Sequence, residues 1–189
     1  MKRNETQPKT GDNMPIINTV TATTAEEGGK ELMDLVASKA GEIAKPLELI
    51  GVSSILSKIR ATQIMLYATS NLSQTLMTTI RFLSAERCGS GGCVVFNGNA
   101  LKKSEGLTDS DLAALKNDPN LAPLNDREKK LLAFVDTAVK NPDWASQKDI
   151  DALRELGWSD NDILEATYQA TDMAVIATLM HIFKVSTPD

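Results

Sequence analysis

The stretch Gly106-Leu107-Thr108-Asp109-Ser110-Asp111-Leu112 is typical of a joint between two helices, and its arrangement returns as Gly157-Trp158-Ser159-Asp160-Asn161-Asp162-Ile163. In each copy a glycine ends one helix, a hydroxyl side chain caps the next, and an aspartate follows one turn later. The residue before the cap is apolar and can pack on an apolar residue of the new helix. Repeated joints of this kind predict an all-α fold.

Outward from these joints, the rest of the chain carries further helix signals and no segment that alternates as a sheet strand would. Asn125 with Glu128 and Ser146 with Asp149 form two more predicted capping boxes. Apolar residues at helical spacing predict earlier helices near 24–40, 53–69 and 73–86. We expect the buried faces of the last two to contain Ile55, Leu56, Ile59 and Leu66, and Leu76, Ile80 and Leu83, respectively.

Length and composition predict a single soluble helical domain over residues 14–189, preceded by a polar, disordered arm over 1–13. The net charge of −5 provides no basic surface for nucleic acid. No apolar run approaches the ~18–20 residues that cross a bilayer, and the polar start resembles no signal peptide. With only two cysteines, a secreted disulfide scaffold is excluded and a cytoplasmic location is expected.

The last predicted helix, roughly 160–184, is apolar nearly all round. Small residues recur along it at three- and four-residue spacing, which permits close approach of another helix. A helix of this kind is buried, often between subunits. We therefore expect a homo-oligomer.

The candidate for chemistry is Cys93, in the stretch Ala85-Glu86-Arg87-Cys88-Gly89-Ser90-Gly91-Gly92-Cys93-Val94-Val95-Phe96-Asn97. The glycines end one helix, and Ser90 is a suitable N-cap for the next. Cys93 then falls in the first turn, where backbone N–H groups and the helix dipole stabilise a thiolate and should lower the pKa of the thiol. Asn97 lies one turn further along the same face.

Cys88 precedes Cys93 across the glycine turn, and a folded-back turn could bring the two sulfurs within disulfide distance. Spacing alone does not establish that arrangement. A buried structural cysteine beside a glycine-rich joint explains the same residues, so the residues alone leave both interpretations open.

From Met14 to Val185 the chain resembles the AhpD-like family, which includes alkylhydroperoxidase D-type proteins and carboxymuconolactone decarboxylases. The resemblance lies in the order of its joints: the early Gly41 joint, the apolar helix leading into the cysteine turn, Leu101 to Thr108, and Leu153 to Asp160. It implies an all-α bundle of about eight helices and a homo-oligomer.

The redox members of that family carry Cys-x-x-Cys-x-x-x-His after a helix that holds a Glu. By resemblance, Cys93 takes the place of the sulfur that attacks peroxide. Ser90 stands in place of the resolving cysteine and Asn97 in place of the proton-relay His. Thr78 stands about where the relay Glu belongs, while Glu86 lies nearer the turn. This sequence keeps the nucleophile position and loses its usual helpers.

The resemblance implies a thiol-dependent oxidoreductase of peroxiredoxin or alkylhydroperoxidase type, which would consume a small hydroperoxide and accept electrons from a thiol reductant protein. Cys93 would be the attacking thiolate, with Cys88 as a substitute resolving thiol and Glu86 or water as the proton donor. Because a missing general acid or base costs on the order of 10²–10⁴ in rate, we expect weak activity. The alternative is a catalytically degenerate relative that binds a small ligand or a protein partner in the same pocket.

No cofactor and no metal site are expected. His181 is the only histidine, and its place in the apolar terminal helix predicts a packed core or interface residue. With one histidine and two cysteines, a zinc site would need carboxylates as well. No cluster of basic groups suited to decarboxylation of a lactone is apparent in the sequence.

Overall fold

The computed structural model describes residues 15–40 and 43–185, which form nine α-helices and two short 3₁₀ turns with no strand. The predicted arm over 1–13 and the Gly41 joint lie outside this part of the chain. The helices are α1 (Glu27–Ala40), α2 (Lys45–Ile50), α3 (Ser54–Thr69), α4 (Gln74–Arg87), α5 (Gly91–Glu105), α6 (Asp109–Asn117), α7 (Asp126–Lys140), α8 (Gln147–Glu155) and α9 (Asp160–Ile182). The all-α prediction is confirmed.

All four predicted capping boxes are present. The side chains of Thr108, Asn125, Ser146 and Ser159 begin α6, α7, α8 and α9, each in reciprocal contact with the acid one turn later. These contacts satisfy backbone donors that a helix start otherwise leaves unpaired. Two glycines that end helices, Gly106 and Gly157, have positive φ angles of 71° and 83°, a conformation that a side chain disfavours.

Helix α4 lies at the centre of the bundle and packs against α5, α7 and α9. Its predicted apolar face is confirmed, because Leu76, Ile80 and Leu83 are all buried. A second apolar cluster joins α1, α2 and the C-terminal half of α9. Cys93 belongs to this second cluster, which places the start of α5 inside the protein.

The predicted buried face of α3 is wrong. Ile55 is 73% exposed, Leu56 and Ile59 are also exposed, and Leu66 is only partly buried. The inward positions hold Ser57 and Arg60 instead, and these two polar groups have partners there. Ser57 donates a hydrogen bond to the Ile50 carbonyl, and Arg60 pairs with Asp172 of α9. Buried polar partners, rather than apolar spacing, therefore set the orientation of α3.

Helix α9 is only partly enclosed. Leu164, Val175 and Ile182 are exposed along it, while Ala166, Ala170 and Ala177 face the core. None of the described helices meets the length and hydropathy needed to cross a membrane.

Candidate functional site

The cysteine turn is built by the end of α4 and the start of α5. Gly89 has a φ of 66°, and around it the Ser90 amide donates to the Ala85 carbonyl and the Gly89 amide to the Glu86 carbonyl. This is the Schellman pattern that ends helices at a left-handed glycine. Cys88 is the C-cap of α4 and Ser90 is the N-cap of α5, so only Gly89 separates the two capping residues.

Cys93 occupies the third position of α5, as predicted from Ser90. The Ser90 side chain makes no capping hydrogen bond with the helix backbone. Its hydroxyl group and the positive charge of Arg60 both act on Cys93 in the direction that favours the thiolate. The predicted lowering of the thiol pKa is nevertheless wrong. Cys93 is only 8% exposed, and burial in this apolar cluster raises its pKa more than those two groups lower it.

A cavity of about 780 Å³ opens in front of Cys93. It lies between α3, α4, α5 and α9 and the segment 43–47. Its polar wall includes Arg60, Tyr67, Thr78, Arg81, Asn97 and Asn99; its apolar wall includes Val36, Leu47, Ile64, Phe96, Met173 and Ile176. A cavity of this size with a few polar groups on an apolar wall is typical of small-molecule sites.

The structure brings some of the predicted site residues together and separates others. Cys93 and Asn97 line the cavity. The Asn97 amide donates a 2.8 Å hydrogen bond to the Cys93 carbonyl, so the side chain is held against its own helix. Ser90 is buried and is not among the residues that line the cavity. Glu86 is not brought to the site, because it is exposed and its carboxylate lies 2.7 Å from Nζ of Lys116 on α6.

Cys88 is half-buried, and both cysteines are free thiols. Burial raises the pKa of the Cys88 thiol, against the opposing effect of Arg87. The charge of a Cys88 thiolate would add to the rise in the pKa of Cys93. Cys88 is not among the residues that line the cavity, so a substrate would meet Cys93 first.

The sequence predicted that His181 packs in the core or at an interface. It does not pack in the core of this chain. It is exposed, and a Cβ placed on Gly89 would lie 3.7 Å from the Cε1 atom of His181. The imidazole therefore borders the glycine turn. Among the described residues, no group of three His, Cys, Asp or Glu side chains is arranged to hold a metal ion.

A buried ion pair that the sequence analysis missed lies beside the thiol. Arg60 makes two hydrogen bonds to Asp172, of 2.7 and 3.0 Å, and the Tyr67 hydroxyl lies 3.4 Å from the same carboxylate. Burial, reinforced by the Asp172 charge, raises the pKa of Tyr67. Because Arg60 and Asp172 compensate each other, Arg60 contributes only part of its charge to Cys93.

The Cys93 environment predicts how the thiol responds to pH. Since the pKa of Cys93 is raised, its thiolate fraction at pH 7 is below that of a small free thiol. The rate of its reaction with iodoacetamide should therefore level off at a higher pH than the rate for N-acetylcysteine. Ser90→Ala removes a hydroxyl group that favours the thiolate and should slow the reaction several-fold further at pH 7. Rates of Cys93 modification, followed by mass spectrometry from pH 6 to 10, measure both effects.

Ser104→Ala is the matched control for Ser90→Ala, because Ser104 is an exposed serine near the other end of the same helix. It should leave the Cys93 profile unchanged. A Ser90→Ala profile identical to that of Ser104→Ala would mean that the hydroxyl does not act on the sulfur.

Comparison with known structures identifies the fold. An uncharacterized peroxidase-related protein from Silicibacter sp. TM1040 superposes with a TM-score of 0.73 at 16% identity, over 91% of each chain. A structure described as an alkylhydroperoxidase AhpD core, an uncharacterized peroxidase-related protein from Ralstonia eutropha JMP134, gives 0.75 at 17% identity, over 93% of each chain. No family model and no curated protein sequence matches the chain. The chain has the AhpD-like fold, as the resemblance predicted.

Proposed function

We propose that the protein is a slow thiol-dependent peroxidase in which Cys93 attacks a small hydroperoxide bound in the cavity. The observation that carries this proposal is the position of Cys93, at the first turn of α5 and on the wall of a cavity of about 780 Å³. The names of the peroxidase-related structures that share the fold are consistent with it.

In the first step the Cys93 thiolate attacks the terminal oxygen of the hydroperoxide. The O–O bond breaks, the sulfur gives up two electrons and becomes a sulfenic acid, and the alkoxide takes a proton to leave as an alcohol. Cys88 then attacks the sulfenic sulfur, which forms a disulfide and releases water. An external dithiol reductant returns both cysteines to thiols by exchange.

The proposed rate is low because the cavity provides little help with protons. The Cys93 thiol has a raised pKa, Asn97 cannot exchange a proton near neutral pH, and Glu86 is paired with Lys116 outside the cavity. We propose water as the proton donor to the leaving alkoxide.

Peroxide consumption with a dithiol reductant tests this proposal, with Cys93 oxidation followed by mass spectrometry. Because the cavity holds the hydroperoxide against the sulfur, Cys93 of the wild type should oxidise faster than N-acetylcysteine when the rates are compared per thiolate, and a Cys88–Cys93 disulfide should accumulate. Cys88→Ser should keep the Cys93 oxidation and lose the disulfide. Oxidation of Cys93 no faster than that of the small thiol would contradict a peroxidase function.

The second candidate is a relative that binds a small ligand or a partner in the cavity without turnover. The raised pKa of Cys93 and the attachment of Asn97 to the helix backbone favour it. In that case Cys93→Ser would bind the same ligands as wild type, and peroxide would leave Cys93 intact.

We further propose that the protein forms a homo-oligomer in the cytoplasm. The exposed side chains of Leu164, Val175 and Ile182 on α9, and of Ile55 and Ile59 on α3, support self-association, since large apolar side chains in such number favour burial against another surface.

A further inference from the structure

Arg81 is a guanidinium left without an anion inside the cavity. It lines the cavity from α4, and its Nε atom is buried with no hydrogen-bond partner in the described residues. Its one side-chain hydrogen bond there joins Nη2 to the Thr78 hydroxyl at 3.4 Å, a long contact. A guanidinium has five N–H donors, so most of its capacity is unused. A buried polar group in this condition requires a missing partner.

The other cations on the cavity wall do have anionic partners. Arg60 is held bidentately by Asp172, and Lys45 lies 2.8 Å from the Glu48 carboxylate. Among the described residues that line the cavity there is no Asp or Glu. In the described structure, the cavity therefore carries one uncompensated positive charge, at Arg81.

The surroundings of Arg81 compensate its charge only in part, through Tyr67 and through the Asp172 carboxylate that Arg60 already holds. The Tyr67 ring covers the guanidinium, with Cζ 4.6 Å from the ring centroid. Burial lowers the pKa of Arg81, although an arginine remains charged in a protein. A desolvated charge without a partner is costly, and an anion bound from the cavity would remove that cost.

The rest of the cavity specifies the body of such an anion. Ile64, Phe96, Met173 and Ile176 form much of the wall, which suits an apolar chain or ring. The planar fork of N–H donors matches a carboxylate or a phosphate. A single free cation balances the one charge of a carboxylate, whereas it would leave part of the charge of a doubly charged phosphate unpaired.

We propose that the cavity binds an amphipathic carboxylate, with its carboxylate on Arg81 and its apolar body against α3, α5 and α9. This proposal rests on the proposed function, because it names the substrate class of the same site. The substrate would be a hydroperoxide that carries a carboxylate. Arg81 is then the residue that selects among hydroperoxides.

Octanoate and octanamide test the assignment, because they share an apolar chain and differ in the charge of the head group. Titration calorimetry on the reduced wild-type chain should show octanoate binding at least tenfold more tightly than octanamide. Equal affinity for the two, or no binding of octanoate, would overturn the proposal without any variant. Tighter binding of inorganic phosphate than of octanoate would overturn the choice of carboxylate.

Two variants localise the preference. Arg81→Gln removes the charge and should bring the two affinities to within a factor of two. Thr78→Glu adds a carboxylate one turn before Arg81, where it can pair with the guanidinium, and should have the same effect. Lys103→Gln removes an exposed cation of α5 that does not line the cavity and should keep the wild-type preference. Retention of the preference in folded Thr78→Glu and Arg81→Gln would contradict a role for Arg81.

The outcome is separable from that of the peroxidase test, since octanoate carries no peroxide. A chain that prefers octanoate yet leaves Cys93 unoxidised retains the carboxylate site and loses the peroxidase proposal. A chain that consumes peroxide and binds both compounds equally loses the carboxylate site alone.

Discussion

Asp172→Ala should destabilise the protein by about 3–5 kcal/mol, because it leaves Arg60 charged and buried without a partner. The two hydrogen bonds of the pair measure 2.7 and 3.0 Å, and the Asp172 and Arg60 side chains are only 4% and 11% exposed. For a domain of this length the loss corresponds to a melting temperature about 6–20 °C lower. Thermal and urea unfolding, followed by circular dichroism, measure it.

Two further variants distinguish the cost of leaving a buried charge unpaired from the cost of losing an ion-pair contact. Asp34→Ala removes one partner of an exposed ion pair with Lys30 at 2.7 Å and should cost less than about 1 kcal/mol. The double variant Arg60→Met with Asp172→Leu replaces the buried pair by apolar side chains and should recover most of the lost stability. An Asp172→Ala protein as stable as Asp34→Ala would show that water reaches and solvates Arg60.

The sequence was sufficient for the elements whose signals are local. Each capping box involves residues one turn apart, so Thr108 with Asp111 and Ser159 with Asp162 could be recognised directly. The position of Cys93 in α5 follows from Ser90 in the same way. The overall arrangement of the helices was predictable only through the resemblance to the AhpD-like family, since local signals do not determine how helices pack.

The errors arise where distant residues meet. The Arg60–Asp172 pair joins α3 to α9, and it directs the polar side of α3 inward while Ile55 and Ile59 face outward. One signal was available: Asp172 is the single Asp, Glu, Lys or Arg between Glu165 and Lys184, in a largely apolar stretch of the helix. A lone charge in such a place suggests a buried partner, although the sequence does not identify it.

The pKa of Cys93 was mispredicted for a related reason. The helix start supplies N–H donors and a favourable dipole, both visible from the sequence, but the depth of the thiol depends on Met173, Ile176 and Met180 of α9, which share its apolar cluster. Arg81 was missed because an arginine on an amphipathic helix usually extends to solvent. Its burial results from the packing of Tyr67 over the guanidinium.

Asn97→His should raise the rate of peroxide consumption by Cys93 by on the order of 10²–10⁴, the range that a positioned general acid or base contributes. Asn97 lies one turn beyond Cys93 and faces the cavity, but its amide donates to the Cys93 carbonyl and cannot exchange a proton at neutral pH. An imidazole at this position can protonate the leaving alkoxide. The cavity provides the volume that the larger ring requires.

The pH profile and a matched variant identify the origin of that gain. Asn97→His should introduce an ionisation near neutral pH into the rate of peroxide consumption, whereas Asn97→Gln keeps an amide and should leave the wild-type rate unchanged. Adding Ser90→Cys to Asn97→His restores the Cys-x-x-Cys-x-x-x-His spacing and should produce a 90–93 disulfide after peroxide treatment. If Asn97→His is no faster than Asn97→Gln, proton transfer does not limit the reaction. The raised pKa of Cys93 would then limit the rate. A protonated thiol does not attack the peroxide, so a proton donor for the alkoxide would give no gain.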